Sequence, residues 1–338
     1  MENNSKPKDH TNVEALGSYQ HSRKTDKSCK PVRKFIYIKT MKTGSSTLAC
    51  ILLRYGLKNE LIAALQQKPS PVICYNVSSG SYDIMRYNCK NFPGYDFMAN
   101  HILYHRAAME GIVKNAKYIT ILRSPNTMIR SRFFYTNMFE SIRNLRNSPS
   151  ESNPFLTYLK SLEPSGNTDP RCCEPPQGND LSRRLGVCAK SRKELTDKIR
   201  QLDKELDLVL LTEYYDESLI LLKKMMCWEY EDIVYYPLKV NKNPLPPITG
   251  KMKSIIDKIS IADMQLYNHF NKTLWEKVKN YDGDFEADLT EFHNIKKRIT
   301  EKCDSEPISD YCNLFYMDTF PMTKLLYSKQ LKWLCPNP

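Results

Sequence analysis

The sequence predicts an α/β domain whose mostly parallel sheet is flanked by helices on both faces. Three short apolar, β-prone runs carry this reading: Phe35-Ile36-Tyr37-Ile38, Tyr118-Ile119-Thr120-Ile121-Leu122 and Leu208-Val209-Leu210-Leu211. Each reads as a strand buried on both faces, and each is followed by apolar residues at helical spacing. Repeated strand–helix alternation is the signature of parallel strands joined by covering helices. A chain of 338 residues suits one large domain of this class, with or without peripheral additions.

Residues 1–32 are polar, rich in Lys, Ser and Asn, and aperiodic, which predicts a disordered arm or stem. The main domain is expected over 33–300. After the first strand a Gly/Ser/Thr-containing loop leads into Leu48, Ile51, Leu52 and Tyr55, with Gly56 placed to stop the helix. The second strand breaks at Arg123-Ser124-Pro125, and proline suits the first position of the helix carrying Met128, Ile129, Phe133 and Phe134. The third strand precedes a helix marked by Leu219, Leu222 and Met226. Residues 147–192 are rich in Pro, Ser, Gly and Asn and contain Cys172, Cys173 and Cys188. They read as a loop-rich surface insertion tied by a disulfide, or as a substrate-facing loop. Pro244, Pro246 and Pro247 end the α/β pattern, and amphipathic helices are expected from about 250. Residues 301–338 form a cysteine- and aromatic-containing C-terminal extension.

The formal net charge of +12 raises the local concentration of anions without specifying a fold. Nucleic acid is disfavoured, because zinc-finger spacing, a basic region leading into heptads and a basic-aromatic RNA-binding strand are all missing. Eleven cysteines are many for a reducing compartment yet too dilute for a disulfide-stapled miniprotein, and sequons at Asn3, Asn76 and Asn271 point weakly to secretory passage. No apolar run approaches the ~18 residues of a membrane helix.

The segment Lys39-Thr40-Met41-Lys42-Thr43-Gly44-Ser45-Ser46-Thr47 follows a strand and opens a helix, so free amides face whatever occupies the loop. Gly44 allows a tight turn and close backbone approach. The hydroxyls of Thr43, Ser45, Ser46 and Thr47 can donate to an oxyanion, and a lysine ammonium supplies a mobile point charge. The Gly-x-x-x-x-Gly-Lys-Ser/Thr pattern of nucleoside triphosphatases is absent, and an ordinary capped polar loop is the plain alternative.

This loop resembles the 5′-phosphosulfate-binding motif of the galactose 3-O-sulfotransferase family, Lys-Thr-His-Lys-Thr, a small residue, then Ser-Ser-Thr, and departs from it at Met41. Ile121-Leu122-Arg123, Pro125 and Ser131-Arg132-Phe133-Phe134-Tyr135 resemble the family's 3′-phosphate motif. Leu210-Leu211-Thr212-Glu213-Tyr214-Tyr215-Asp216-Glu217-Ser218-Leu219 and Leu266 to Trp275 are similar too, without obvious chemistry. The resemblance implies a P-loop-like sulfotransferase fold. It also implies sulfonate transfer from PAPS (3′-phosphoadenylyl sulfate), without a metal, to the 3-hydroxyl of galactose on a glycolipid or glycoprotein. Lys39, Thr40, Lys42, Thr43, Gly44, Ser45, Ser46, Thr47, Arg123 and Ser131 are then the donor-binding residues, with Lys42 also catalytic.

A general base is required as well, and histidine is the side chain nearest neutrality. Of six histidines, His10 and His21 fall in the arm, and His269 and His293 in later helices. His101 and His105 remain, in an Asn-His-x-x-x-His segment similar to the family's. His101 is assigned as the base by this match, and His105 as an acceptor-binding residue. Zinc held by two histidines four apart on a helix is the rival, but no third ligand follows at recognisable spacing. Methionine cannot transfer a proton, so Met41 keeps two alternatives open: another sugar hydroxyl as acceptor, and an inactive glycan- or nucleotide-binding relative. The resemblance further implies a Golgi-lumenal, membrane-associated protein, whose anchor this sequence does not contain. A homodimer stays open.

Overall fold

The computed structural model describes residues 29–68, 70, 72–76, 78–87, 92–136, 153–163, 179–240, 245, 247–305 and 309–334. Its centre is a four-stranded parallel sheet in the order β4-β1-β5-β6, built from β1 (Phe35–Ile38), β4 (Phe97–Met98), β5 (Lys117–Leu122) and β6 (Leu208–Leu211). Every residue of β1 and β6 is buried, which is why these runs show no alternation of polar and apolar residues. Strands β2 (Tyr75–Asn76) and β3 (Ser81–Tyr82) form a small antiparallel pair of their own.

Helices α1 (Ser45–Lys58), α2 (Arg106–Ile112), α3 (Pro125–Tyr135), α4 (Pro154–Ser161), α5 (Asp180–Arg184), α6 (Arg192–Glu205) and α7 (Tyr215–Met226) follow in chain order. After them come α8 (Tyr230–Ile233), α9 (Gly250–Ile259), α10 (Ile261–Lys279), α11 (Phe285–Ser305), α12 (Asp310–Tyr316) and α13 (Thr319–Leu334). They gather in two groups that flank the sheet: α1 packs on α13 and α8, with α11 on α7 and α8, while α10 lies on β6, α5 and α6 beside α9, α3 and α4. The α/β expectation holds.

The order β4-β1-β5-β6 fixes where a ligand can sit. From β1 the chain goes to β4 on one side, and from β5 it goes to β6 on the other. The loops leaving β1 and β5 therefore diverge at their carboxyl ends, and a crevice opens between them.

Gly56 departs from expectation. It lies inside α1, which continues to Lys58 and is capped by Asn59. A Cβ added at Gly56 would fall 2.5 Å from the Phe97 ring, so the glycine lets α1 sit close on β4 instead of ending the helix.

Of the polar arm, residues 29–32 are described and are fastened to the domain. Cys29 is disulfide-bonded to Cys227, Val32 N–H donates to Met226 O (2.8 Å) and Trp228 Nε1 donates to Val32 O (3.2 Å). Trp228 is buried and stacked on Tyr55 at 3.7 Å, a core residue and not a sugar platform. The described parts of 147–192 carry α4, α5 and the N-cap of α6, and Cys188 is disulfide-bonded; Cys172 and Cys173 lie outside the described residues.

The C-terminal residues are integral to the packing. Buried Gln330 accepts from Ala63 N–H (3.1 Å) and donates to Ala63 O (3.1 Å) and Tyr87 Oη (2.9 Å). The Cys303–Cys312 disulfide joins α11 to α12.

Helices α5 and α10 cap each other. Asn179 Oδ1 accepts from Ala262 and Asp263 N–H, while the Asp263 carboxylate accepts from Leu181 N–H (3.0 Å), Ser182 N–H (2.7 Å) and Ser182 Oγ (2.6 Å). Each helix start thereby satisfies orphan amides of the other. Burial pushes the Asp263 carboxyl up to about 7 against the pull of these bonds.

Candidate functional site

The hydroxyls of the loop after β1 brace it from within. Thr40 Oγ1 donates to Ile121 O on the neighbouring strand and lies 2.9 Å from Thr43 Oγ1. Ser45 Oγ donates to Thr40 O (2.5 Å), and Thr47 Oγ1 accepts from Leu238 N–H (3.0 Å). These side chains are buried, so they set the shape of the loop; Ser46, half-buried, is the hydroxyl left facing outward. Gly44 caps α1 with φ +70 and offers no side-chain cap, and the first turn carries no acidic residue, so the opening amides stay available to an anion. A side chain at Gly44 would lie 3.2 Å from the Tyr215 ring, whose hydroxyl reaches Gly44 O at 3.4 Å.

Cations converge on this turn. Lys39 is only 2% exposed, and among the described residues its Nζ makes neither a hydrogen bond nor an ion pair. Burial lowers its pKa to about 8. Lys42, also at positive φ (59°), is lowered to about 8 by burial and then by the Arg123 and Lys239 charges. Its Nζ sits 3.5 Å above the Tyr135 ring, a cation–π contact at the rim of the site.

Arg123 stands at the carboxyl end of β5. Its Nη1 donates to Lys42 O (3.2 Å) and its Nε to Thr127 Oγ1 (3.0 Å), so the guanidinium spans the crevice and is held at both ends. Ser131 lies half-buried two turns along α3. Thr212, just after β6, donates its hydroxyl to both Thr43 O (2.8 Å) and Leu122 O (2.9 Å), tying the third strand end to the first two. Glu213 accepts from Ser124 N–H (3.0 Å) and Tyr267 Oη (3.1 Å), closing the wall beside Arg123.

His101 is part of this cluster. Its Nδ1 lies 3.3 Å from Lys39 O, and since a carbonyl only accepts, that nitrogen carries the proton and Nε2 keeps the lone pair. Burial, then the Lys39 and Arg184 charges, lower its pKa to about 3, so the ring is neutral at pH 7. Met41, the departure from the family loop, has its sulfur against the Arg184 guanidinium. That arginine also pairs with Asp180 (3.4 Å), the buried carboxylate shared with Arg183 (2.8 Å) and Arg132 (3.8 Å).

His105 has a different setting. It caps α2, its Nδ1 accepting from Ala108 N–H (3.4 Å), and it stacks on Tyr75 at 4.9 Å. His101 precedes that helix in an isolated bridge to Val72, so the two histidines do not share a helical face.

Sequence reasoning left out Thr212, Glu213, Tyr215, Tyr135, Arg184 and Lys239. The first three lie in the block from Leu210 to Leu219 that showed similarity without chemistry, which was the available signal. Arg184 and Lys239 sat among many basic residues and had none.

The sequence matches the profile described as Galactose-3-O-sulfotransferase over residues 4–311. The chain belongs to the galactose-3-O-sulfotransferase family. It is 30% identical to the galactosylceramide sulfotransferase of Mus musculus over 282 residues, which cover 81% of this chain and 65% of the relative. The Homo sapiens galactosylceramide sulfotransferase is 30% identical over 272 residues, covering 75% of this chain and 59% of that protein. Galactose-3-O-sulfotransferase 3 of Mus musculus is 27% identical over 304 residues, 83% of this chain and 68% of the relative. The matched stretch thus spans less than two thirds of the length of the two galactosylceramide sulfotransferases.

Proposed function

We propose that this family member transfers a sulfonate group from PAPS to the 3-hydroxyl of a galactose residue on a glycolipid or glycoprotein. The observation that carries the reading is nearly buried Lys39, whose Nζ makes neither a hydrogen bond nor an ion pair among the described residues, on the same loop as Lys42, the carbonyl that Arg123 bonds and the uncapped amides of α1. A buried cation left unpaired is costly unless a ligand anion completes it. A donor with anionic groups at two ends suits a crevice with cations on both of its strand ends.

When bound, the donor supplies an activated sulfonate whose S–O bond to the phosphate breaks as a new S–O bond forms to the sugar. Lys42 and the first amides of α1 stabilise the charge building on the bridging and sulfonate oxygens. Arg123, with Ser131, grips the 3′-phosphate. His101 Nε2 accepts the proton of the attacking hydroxyl, Nδ1–H staying on the Lys39 carbonyl. Burial is the first cause of the lowered His101 pKa and the Lys39 charge the second; an anion beside Lys39 offsets the second, so donor binding raises the basicity of His101. His105 belongs to the acceptor side in this reading, acting through the packing of Tyr75.

The disulfides Cys29–Cys227 and Cys303–Cys312, the disulfide-bonded Cys188 and the family membership support a Golgi-lumenal, membrane-associated setting. Among the described residues no helix is long and apolar enough to cross a membrane.

The test is incubation with sulfur-labelled PAPS and a panel of terminal galactosides, with linkage analysis of the product. Label on the galactose 3-hydroxyl is the expected result. Label only on other hydroxyls, or nucleotide binding without transfer, overturns the assignment.

A further inference from the structure

Lys239 lies in the strap between α8 and α9. We propose that Lys239 is a further ligand for the anionic donor, held in waiting by Asp318, so that the C-terminal helices complete the site. This rests on the donor reading just given.

The strap is fastened to the donor loop at the residue before: Leu238 N–H donates to Thr47 Oγ1 at 3.0 Å, in the first turn of α1. Lys239 therefore enters next to the amides that face the crevice. Its backbone adopts φ +56, a left-handed conformation that costs a side-chain-bearing residue energy and is kept where the surroundings demand one direction for the side chain. The ammonium is half-exposed at the mouth and pairs with Asp318 at 3.2 Å. Its charge is felt at Lys39, Lys42 and His101, the three groups around which the loop is organised.

The Lys239 charge repels both Lys39 and Lys42, and Asp318 is the carboxylate that offsets Lys39 and Lys239. Asp318 has a second task, accepting from Thr319 N–H (2.6 Å) and Thr319 Oγ1 (3.0 Å) at the start of α13. The phosphosulfate end of the donor carries two negative charges in all, against the single charge that Asp318 shares between Lys239 and Thr319. The ammonium then exchanges Asp318 for the donor, or bridges both.

The sign of two substitutions separates this role from a structural ion pair. Binding of 3′-phosphoadenosine 5′-phosphate to the full chain is measured by calorimetry, with thermal melting as a check on folding. Lys239→Ala is expected to weaken binding on the order of tenfold, the usual effect of losing one charge-assisted contact. Asp318→Asn keeps the Oδ1 that accepts from Thr319 and is expected to tighten binding, because it removes a competitor. Lys239→Gln, which keeps most of the side-chain stem, replaces Lys239→Ala if the latter melts early. Unaltered affinity without the Lys239 charge, or equal weakening in both the Lys239 and Asp318 variants, overturns the proposal. A wild-type chain that does not bind the nucleotide overturns the donor reading itself, and this inference with it.

Discussion

Lys42, Arg123 and His101 occupy three different strand-end segments, yet His101 and Arg123 both bond backbone carbonyls of the loop that carries Lys42: His101 to Lys39 O, and Arg123 to Lys42 O. Removing one should therefore have a separable signature. Lys42→Ala is expected to abolish transfer, whereas Arg123→Ala chiefly weakens nucleotide affinity; full activity and affinity in both variants would remove these residues from the site. The lowered lysine pKa values set a pH dependence. Both ammonium groups are charged below about 8 and are lost above it, so nucleotide affinity should fall as pH rises through about 8. Titration between pH 7 and 10.5 checks this, and a midpoint near the ordinary lysine value would refute it. His101 works on stability in the acid range. Its folded pKa of about 3 lies below the usual 6.5, so the unfolded chain binds the proton first. Stability then declines as pH falls from 6.5 towards 3, by up to about 1.4 kcal/mol per pH unit. Urea unfolding of wild type and His101→Gln at pH 7 and pH 5 should show the smaller loss in the variant.

Two glycines of one strand–helix unit illustrate what a sequence pattern reveals and what it conceals. Gly44 was legible because a glycine between a strand and a helix announces an unusual turn, and φ +70 is what the loop uses. Gly56 was misread as a helix stop because its actual partner, Phe97, is distant in sequence and visible only after β1 and β4 pair. Gly56→Ala should thus destabilise the fold by about 1–3 kcal/mol through overpacking, measurable by chemical unfolding. Gly44→Ala should cost about 1–2 kcal/mol of left-handed strain and also disturb nucleotide binding, since its Cβ meets Tyr215. The strands and most helices were readable for a simple reason: buried parallel strands must be apolar throughout, and that pattern is local. The bracing of the loop by Thr212 and Tyr215 was not readable, because nothing near residues 39–47 indicates which distant hydroxyl or ring will cover them.

For the molecule as a whole, the last helices behave as part of the core. Gln330 supplies both a donor and an acceptor to the Ala63 peptide, and α13 lies along α1, the helix whose first turn faces the crevice. A chain ended after residue 305 would uncover that side of α1 and leave the Ala63 N–H and C=O without partners. It is expected to lose cooperative unfolding, seen as a broadened and lowered thermal transition; an unchanged melt would show the extension to be dispensable. The expectation of a packed C-terminal extension came from a composition shift at Cys303, and composition carries no information about which helix it docks on.

The Cys29–Cys227 bridge has a directional consequence. It fastens the chain beside Val32, just ahead of β1, whereas the crevice opens where β1 finishes. Whatever precedes residue 29 is thus attached at the floor of the sheet, at least the length of a four-residue strand, roughly 13 Å, from the mouth. A protein tethered through that end would point the crevice away from its mooring.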